Sequence, residues 1–296
     1  MLKYQNYLVT GGAGFIGSHL VETLVSLGCR VRVLDDFSTG KEENLTHLAD
    51  RVEIIRGDIR NRNLCRRAAE GMEVILHQAA LASVPRSIAE PILAHEINVT
   101  GTLNLLLAAG ETGVKSFILA SSSAVYGDDQ TFPKKEGREG NPLSPYAAQK
   151  LSSEKYCQVF SQIYGFNAVC LRYFNVFGPR QDPNSQYAAV IPIFITRILQ
   201  AQPPVIFGDG RQSRDFIYVG NVVQANLLAA SYAHFRGEVF NIGTSVRITI
   251  NELARAISSY LNFSLPPIYE APRPGDIFDS WADISRAENS LGFKPE

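Results

Sequence analysis

Residues 7–28 read YLVTGGAGFIGSHLVETLVSLG, and the order of residue types in this stretch determines the predicted fold. The first four residues have the apolar, β-branched character of a strand, and residues 15–28 have the pattern of a helix. Gly11, Gly14 and Gly17 follow the strand in G-x-x-G-x-x-G spacing. Because glycine has no Cβ, the backbone can turn sharply there and approach a pyrophosphate, which a helix N-terminus attracts. The stretch therefore predicts the strand, turn and helix of a dinucleotide-binding unit.

Acidic residues follow the next two predicted strands. Asp35 ends the strand VRVLD, 18 residues beyond Gly17, where a carboxylate can accept hydrogen bonds from both ribose hydroxyls. Asp36, rather than an arginine, comes next, which favours NAD over NADP. Asp58 and Ile59 follow the third strand and are expected to cover the adenine, with a plain turn as the alternative.

Strands and helices, among them one long helical stretch over 91–112, alternate to about Asn175. Such alternation predicts an α/β fold, a Rossmann-type doubly wound parallel sheet with helices on both faces. Beyond Asn175, proline and glycine become frequent and the strands become short and irregularly spaced. The second part of the chain is therefore predicted to be a smaller C-terminal α/β domain that binds substrate.

Composition excludes several classes of protein. With 45% hydrophobic and 19% charged residues, the 296-residue chain is expected to be globular rather than disordered. Its net charge of −1 gives no overall positive field that would attract nucleic acid. The four cysteines are scattered and the histidines have no metal spacing, so neither a disulfide framework nor a metal site is expected. No signal peptide and no apolar stretch of about 20 residues is apparent, which predicts a cytoplasmic protein without a membrane partner.

Residues 144–150, SPYAAQK, predict the start of a second functional helix. Ser144 is a suitable N-cap and Pro145 suits the first helical position. Tyr146 and Lys150 then lie one turn apart on the same face. An ammonium near a phenol favours the phenolate, which is a base, whereas the simpler interpretation is an ordinary amphipathic helix start.

Several motifs in order carry a family resemblance: GGAGFIG, GDIRN, HQAA, SSSAVYG, SPYAAQK and LRYFNVFG. The chain resembles the extended short-chain dehydrogenase/reductases, in their UDP-sugar 4-epimerase branch. HQAALASVPRS, SQYAAVIP and SRDFIYVGNVVQANLLAA resemble the members that act on UDP-N-acetylglucosamine. The resemblance implies a NAD-binding Rossmann domain over 1–175 and a mainly UDP-sugar-binding domain over 176–296, with the chain crossing back within about 215–245. It also implies a homodimer that serves nucleotide-sugar metabolism and polysaccharide biosynthesis.

The resemblance assigns catalytic roles to three residues. Tyr146 would be the acid/base, and Lys150 and the positive nicotinamide ring would together lower its pKa. Lys150 would also hold the nicotinamide ribose. Ser122, four residues before Tyr126, would hydrogen-bond the sugar O4, with Ser123 as the next candidate. The implied NAD-binding residues are Gly11, Gly14, Phe15, Ile16, Gly17, Asp35, Asp36, Asp58, Ile59, Ala79, Ala80, Tyr146, Lys150 and Tyr173.

The resemblance also assigns residues to the UDP-sugar. Two arginines would clamp the diphosphate, because a guanidinium pairs bidentately with phosphate oxygens. Ser280 would form the pocket wall beside the sugar, and its small side chain would leave room for an N-acetyl group. A surface ion pair for the arginines and a loop position for the serine are the alternatives. The implied substrate-binding residues are Ser83, Ser123, Asn175, Ala189, Val190, Phe207, Arg214, Arg273, Asp276 and Ser280.

The implied reaction is NAD-dependent 4-epimerisation of UDP-N-acetylglucosamine and UDP-N-acetylgalactosamine through a transient 4-keto sugar, with UDP-glucose and UDP-galactose as further substrates. A UDP-glucose or UDP-glucuronate 4-epimerase is the alternative, with Arg86 or Arg180 as a cation for a uronate carboxylate. Dehydratase and decarboxylase relatives have an acidic residue after the catalytic Ser/Thr, where this chain has Ser123 and Ala124. A non-catalytic dinucleotide-sensing regulator is a remote alternative, because such proteins usually lose the tyrosine or the lysine and this chain has both Tyr146 and Lys150.

Overall fold

The computed structural model describes residues 2–182, 190–232, 234–272 and 278–296. Fourteen strands and ten α-helices alternate along these segments. The strands are β1 (Asn6–Thr10), β2 (Arg30–Asp35), β3 (Val52–Arg56), β4 (Val74–His77), β5 (Ser116–Ser122), β6 (Asn167–Tyr173), β7 (Asn175–Phe177), β8 (Val205–Phe207), β9 (Ser213–Arg214), β10 (Phe216–Tyr218), β11 (Arg236–Ile242), β12 (Ile248–Thr249), β13 (Ile268–Glu270) and β14 (Asp279–Ser280). The helices are α1 (Phe15–Ser26), α2 (Arg62–Ala69), α3 (Val84–Ala89), α4 (Pro91–His95), α5 (Gly101–Thr112), α6 (Pro145–Tyr164), α7 (Val190–Leu199), α8 (Val219–Ser231), α9 (Ile250–Tyr260) and α10 (Ser285–Leu291).

Seven of the strands form one sheet in the order β11-β6-β5-β4-β1-β2-β3. Every pairing in this sheet is parallel. The strand order reverses between β1 and β4, and ligands of open α/β sheets bind at the carboxyl ends of the strands beside such a reversal. The predicted fold class, a Rossmann-type doubly wound parallel sheet, is confirmed.

The sheet is covered on both faces because successive side chains of each strand point to opposite sides. Leu8 belongs to a core packed against α2, α5 and α6, whereas its neighbour Val9 belongs to a core packed against α1, α8 and α10. Strands buried on both sides read as nearly continuous apolar runs, which is how YLVT reads in the sequence.

The chain after β6 forms a smaller region with its own core. Three small sheets, β10-β7, β12-β9-β14 and β13-β8, surround a cluster of buried apolar side chains. The members of this cluster are Phe194, Ile206, Phe216, Ile250, Leu253 and Ala254. Between these small sheets the chain returns to the large one, where α8 packs on one face and β11 pairs with β6.

One helical run is longer and more apolar than the sequence analysis expected. By length and composition alone, residues Pro91–Thr112, which contain α4 and α5, could cross a membrane. However, 56% of the most apolar part of this run is buried inside the fold, where α5 contributes Leu105 and Leu106 to the core. The run therefore packs as the core helix of a globular domain does.

Candidate active site at the carboxyl ends of the strands

The glycine loop between β1 and α1 packs so closely that a side chain at Gly11 or Gly17 would clash with neighbouring backbone atoms. Gly11 has φ +67°, and a Cβ added there would lie 2.7 Å from the Ala79 backbone nitrogen. A Cβ at Gly17 would lie 2.0 Å from the Gly11 carbonyl oxygen, so α1 can approach β1 this closely only with glycine. Gly14 is the N-cap of α1, and the free N–H groups of that first turn attract an anion. These residues fit the pyrophosphate of a dinucleotide.

Asp35 is held in a fixed orientation at the end of β2. Its Oδ2 accepts a hydrogen bond from the Ala13 N–H at 2.8 Å, and its Oδ1 accepts one from the Phe37 N–H at 2.8 Å. Burial raises the pKa of this carboxyl, although both backbone hydrogen bonds oppose that rise. Each carboxylate oxygen retains a second lone pair, so the group can still accept from ribose hydroxyls.

The loop and Asp35 belong to one cleft of about 630 Å³. All fourteen residues predicted to bind NAD line this cleft, and Ser122 lines it as well. Since these residues come from the ends of six parallel strands and from α6, only the folded sheet brings them together. Their role in binding remains a prediction from the resemblance.

Tyr146 lies in the first turn of α6, which two serines cap. The Ser144 hydroxyl accepts from the Ala147 N–H at 3.2 Å, and the Ser87 hydroxyl of α3 accepts from the Tyr146 N–H at 3.1 Å. The Ser122 hydroxyl lies close enough to the Tyr146 phenol to lower its pKa, whereas the neighbouring Ser121 hydroxyl donates to Glu154 at 2.6 Å. Of these two serines at the end of β5, Ser122 is therefore the one that contacts Tyr146.

Burial shifts the pKa values of both Tyr146 and Lys150. It raises the pKa of Tyr146, and the nearby Ser122 hydroxyl only partly opposes the rise. It lowers the pKa of Lys150 to about 8. The Lys150 Nζ lies 5.9 Å from the centre of the phenol ring and donates to the Ala120 carbonyl at 2.7 Å. The lowering of the Tyr146 pKa by Lys150 and the positive nicotinamide ring together stays a prediction.

The sequence analysis missed Asn98, which ties the cleft to α6. The chain forms a π-helix over Glu96–Thr100, where one continuous helix was predicted. The Asn98 amide donates to Gln149 at 2.8 Å, and its Oδ1 accepts from the Leu81 N–H at 2.8 Å. Leu81 lines the cleft and Gln149 precedes Lys150. The available signal was an asparagine flanked by the apolar residues Ile97 and Val99.

A second, more apolar cleft of about 600 Å³ adjoins the first, and Val176 lines both. Four residues predicted to bind substrate line it: Asn175, Val190, Phe207 and Arg214. The Asn175 amide also donates to the Asp215 carbonyl at 3.1 Å.

The remaining substrate candidates lie elsewhere. Ser280 pairs with Arg214 across β14 and β9, half-buried, and within the described segments it lines neither cleft. Ser83 is the N-cap of α3 and accepts from the Arg86 N–H, and Ser123 follows Ser122 in a short 3₁₀ turn. Three predicted residues lie outside the described residues: Ala189, Arg273 and Asp276.

Asp215, which the sequence analysis did not single out, joins the elements around Arg214. Its fully buried carboxylate accepts from the Thr244 N–H and hydroxyl, the Ser245 N–H and the Ala282 N–H. These bonds connect β9 and β10 to the end of β11 and to the residues after β14. Asp215 thereby fixes the strand that carries Arg214.

His77, from the HQAA motif, is a packing residue with both ring nitrogens satisfied. Its Nδ1 accepts from the Thr10 hydroxyl at 2.7 Å, and its Nε2 donates to Thr102, because the Thr102 hydroxyl itself donates to the Asn98 carbonyl. Burial lowers the pKa of His77 to about 3, which keeps the ring neutral. Within the described segments, no group of three His, Cys, Asp or Glu side chains could hold a metal ion.

The chain is similar to known sugar-nucleotide enzymes over its whole length. Residues 7–243 match the family model described as the NAD dependent epimerase/dehydratase family. A protein of Methanocaldococcus jannaschii described as a putative UDP-glucose 4-epimerase is 42% identical over 98% of this chain and 93% of that protein.

Two solved structures have a similar fold as well. UDP-N-acetylglucosamine 4-epimerase from Methanobrevibacter ruminantium, in complex with UDP-N-acetylmuramic acid, is 45% identical over 100% of this chain and 94% of that one, with a TM-score of 0.95. UDP-glucose 4-epimerase from Thermus thermophilus, in complex with NAD, is 38% identical over 98% of this chain and 94% of that one, with a TM-score of 0.88. These matches confirm the resemblance and the dependence on NAD. The chain belongs to the NAD dependent epimerase/dehydratase family.

Proposed function

We propose that the protein is an isomerase that interconverts UDP-N-acetylglucosamine and UDP-N-acetylgalactosamine by inversion at C4, and that it also accepts UDP-glucose and UDP-galactose. The observation that carries the proposal is the contact between Ser122 and Tyr146, with Lys150 one turn further along α6, in the cleft that all the predicted NAD-binding residues line. The adjoining second cleft offers apolar walls and Arg214 to a nucleoside diphosphate.

The chain's own residues would bind the sugar and move one proton. Tyr146 takes the proton from the sugar O4 and later returns it, while Ser122 holds O4 by a hydrogen bond. Lys150 and Asp35 hold the two ribose units of the dinucleotide, and Gly11 to Gly17 hold its pyrophosphate. NAD, when bound, supplies reversible acceptance of the C4 hydride, and its positive nicotinamide ring supplies the charge that would favour the Tyr146 phenolate. Most of the rate then comes from fixed geometry and exclusion of water.

The residues after Ser122 argue against elimination or decarboxylation. Ser123 and Ala124 stand where an acid would assist those reactions, and the Ala124 N–H donates to the Ser122 hydroxyl. Neither side chain can act as a general acid near neutral pH. Simple epimerisation is the reaction that these residues support best.

The N-acetylated substrates are favoured by the 45% identity to a UDP-N-acetylglucosamine 4-epimerase. They are also favoured by the small side chain of Ser280, which lines neither cleft itself but pairs with Arg214, a residue that lines the second cleft. A uronate is disfavoured, because both cations considered for its carboxylate already have acidic partners. Arg86 donates to Glu90 at 3.2 Å and Arg180 donates to Glu22 at 2.6 Å. A substrate carboxylate would have to displace one of these pairs.

We further propose a homodimer that pairs the helices around 91–112 and 145–164. Five large apolar side chains of this region are exposed: Ile92, Tyr156, Val159, Ile163 and Tyr164. Val159 and Ile163 lie one turn apart on the same face of α6, and exposed apolar side chains grouped in this way are typical of an interface. A homodimer in light scattering that dissociates in Ile163→Lys would support this assembly, whereas a monomeric wild type would exclude it.

The experiment compares UDP-N-acetylglucosamine, UDP-glucose and UDP-glucuronate as single substrates, in the wild type and in Ser280→Tyr. The proposal expects the N-acetylated sugar to react fastest in the wild type. The larger side chain should slow only that reaction and leave UDP-glucose turnover within about threefold. Turnover of UDP-glucose alone by the wild type would reject the N-acetyl preference but retain 4-epimerisation. Turnover of none of the three would reject the function.

A further inference from the structure

The segment Gly178–Asp182 follows β7 and forms part of the wall of the cofactor cleft. Val176 and Gln181 both line the cleft, and the Gln181 amide donates to the Val176 carbonyl at 3.1 Å. Phe15 and Ile16, at the start of α1, line the same cleft. The predicted dinucleotide site is therefore bordered by this segment and by α1.

Two contacts attach the segment to α1. The Arg180 Nη2 lies 2.6 Å from the Glu22 Oε2, and the His19 Nε2 donates to the Pro179 carbonyl at 3.0 Å. The His47 Nε2 lies 3.2 Å from the other oxygen of Glu22, so that this carboxylate is bound from two sides. Glu22 is five residues beyond Gly17 on the same helix. The wall is thus attached to the helix that would bind the pyrophosphate.

Arg180 adopts a conformation that needs such an attachment. Its φ is +68°, in the left-handed region that residues with a Cβ avoid. Its side chain is only 22% exposed, and its Nη1 is buried without a hydrogen-bond acceptor among the described residues. Glu22 is the carboxylate paired with this largely buried cation, and an uncompensated buried charge is strongly unfavourable.

We propose that Glu22 and Arg180 form a latch that holds the segment Gly178–Asp182 against α1 and slows the release of NAD. The inference rests on the proposed function, in which the net redox change is zero and the same NAD molecule serves many turnovers. An enzyme of this kind gains from slow cofactor release, whereas a dehydrogenase must exchange its cofactor in each cycle. Glu22 and Arg180 are positioning residues, since they act through the wall of the cleft.

The test measures the release of NAD from the purified protein after dilution into buffer without NAD, by filtration and quantification of the retained NAD. We expect Glu22→Gln and Arg180→Ala each to release NAD about tenfold faster than the wild type. The double variant should be no faster than either single variant, because the two residues act as a pair. Glu111→Gln is the matched control, since Glu111 pairs with Arg62 at 2.8 Å between α2 and α5.

A second measurement does not depend on bound NAD. In the protein without NAD, hydrogen exchange of the Gly178–Asp182 amides should become faster in Glu22→Gln and should not change in Glu111→Gln. NAD release from Glu22→Gln at the wild-type rate would overturn the latch and leave the proposed function intact. Equal acceleration in Glu111→Gln would also overturn it, as general destabilisation. A wild-type protein that binds no NAD would overturn the proposed function and the latch together.

Discussion

At the scale of single residues, the phenol of Tyr146 is the group whose removal should separate chemistry from folding. Tyr146→Phe removes only the phenol oxygen, which lies near the Ser122 hydroxyl in the cleft. We expect kcat to fall by about 10²- to 10⁴-fold, the usual contribution of a positioned acid/base. The melting temperature and NAD binding should remain close to those of the wild type. A variant that retains more than a tenth of the wild-type kcat would exclude Tyr146 as the acid/base.

The two neighbouring serines at the end of β5 should respond differently to replacement by alanine. Ser122→Ala should lower kcat with little loss of stability, because Ser122 contacts Tyr146 at the cleft. Ser121→Ala should destabilise the fold by about 1–2 kcal/mol, because it leaves the buried Glu154 without one hydrogen bond. Steady-state kinetics and urea denaturation of both variants distinguish the effects. The reverse pattern would make Ser121 the functional serine.

The burial of Lys150 should make the stability of the fold depend on pH. Its pKa falls from 10.5 in the unfolded chain to about 8 in the folded protein, chiefly because of burial. The unfolded state therefore binds more protons between pH 8 and 10.5, and stability due to this group rises with pH in that window. Below pH 8 the free-energy cost of burying the protonated Lys150 is fully present, and it amounts to about 3 kcal/mol for this pKa shift.

The measurement compares the wild type with Lys150→Met by urea denaturation from pH 7.5 to 10. The free energy of unfolding of the wild type, minus that of the variant, should rise by up to about 1.4 kcal/mol per pH unit above pH 8. A difference that does not change with pH would mean that Lys150 titrates as an exposed lysine does.

At the scale of elements, a buried ion pair sets the position of α6 against the sheet. Glu154 of α6 accepts two hydrogen bonds from Arg172 of β6, at 2.8 and 2.7 Å, and both side chains are almost fully buried. The same carboxylate accepts from Ser121 of β5, so three elements meet at Glu154. This contact lies one turn beyond Lys150 and fixes the distance between α6 and Ser122.

Removing Glu154 should therefore weaken both the fold and the reaction. We expect Glu154→Ala to lower the free energy of unfolding by about 2–3 kcal/mol, because the buried Arg172 loses its bidentate partner but keeps its pair with Glu139. Glu111→Ala, which breaks the half-exposed pair with Arg62, should cost less than about 1 kcal/mol. Chemical denaturation of the two variants, side by side, measures the difference. Equal losses would mean that the buried pair does not determine the position of α6.

Some of these elements could be predicted from local sequence signals, and others could not. The glycine spacing and Asp35 predicted β1, α1 and β2, because each feature depends on local backbone geometry. The helix expected over 91–112 was only partly right, since the π-helix around Asn98 depends on Leu81 and Gln149, which are distant in sequence. The direction of the Lys150 side chain has a related cause. Spacing within a helix gives Tyr146 and Lys150 a shared face, but the carbonyl of Ala120, which accepts from the Lys150 Nζ, determines where the ammonium points.

At the scale of the whole molecule, the proposed function depends on two clefts that adjoin at Val176. One is formed by the carboxyl ends of the central sheet, and the other by the smaller C-terminal region. The sequence could place residues in each through the family resemblance. It could not predict that Arg180 is already paired with Glu22, because that partner follows from the packing of separate elements. The pair of Arg86 with Glu90, by contrast, is an i,i+4 pair along α3.

The central claim is inversion at C4 in which the substrate's own hydride returns to the same carbon. The most direct test is proton NMR of UDP-N-acetylglucosamine incubated with the purified protein in D₂O, without added NAD. The account predicts UDP-N-acetylgalactosamine that retains protium at both C4 and C5. Deuterium at C5 would indicate enolisation and would contradict the proposed reaction. No inversion at C4, even after addition of NAD, would contradict it as well.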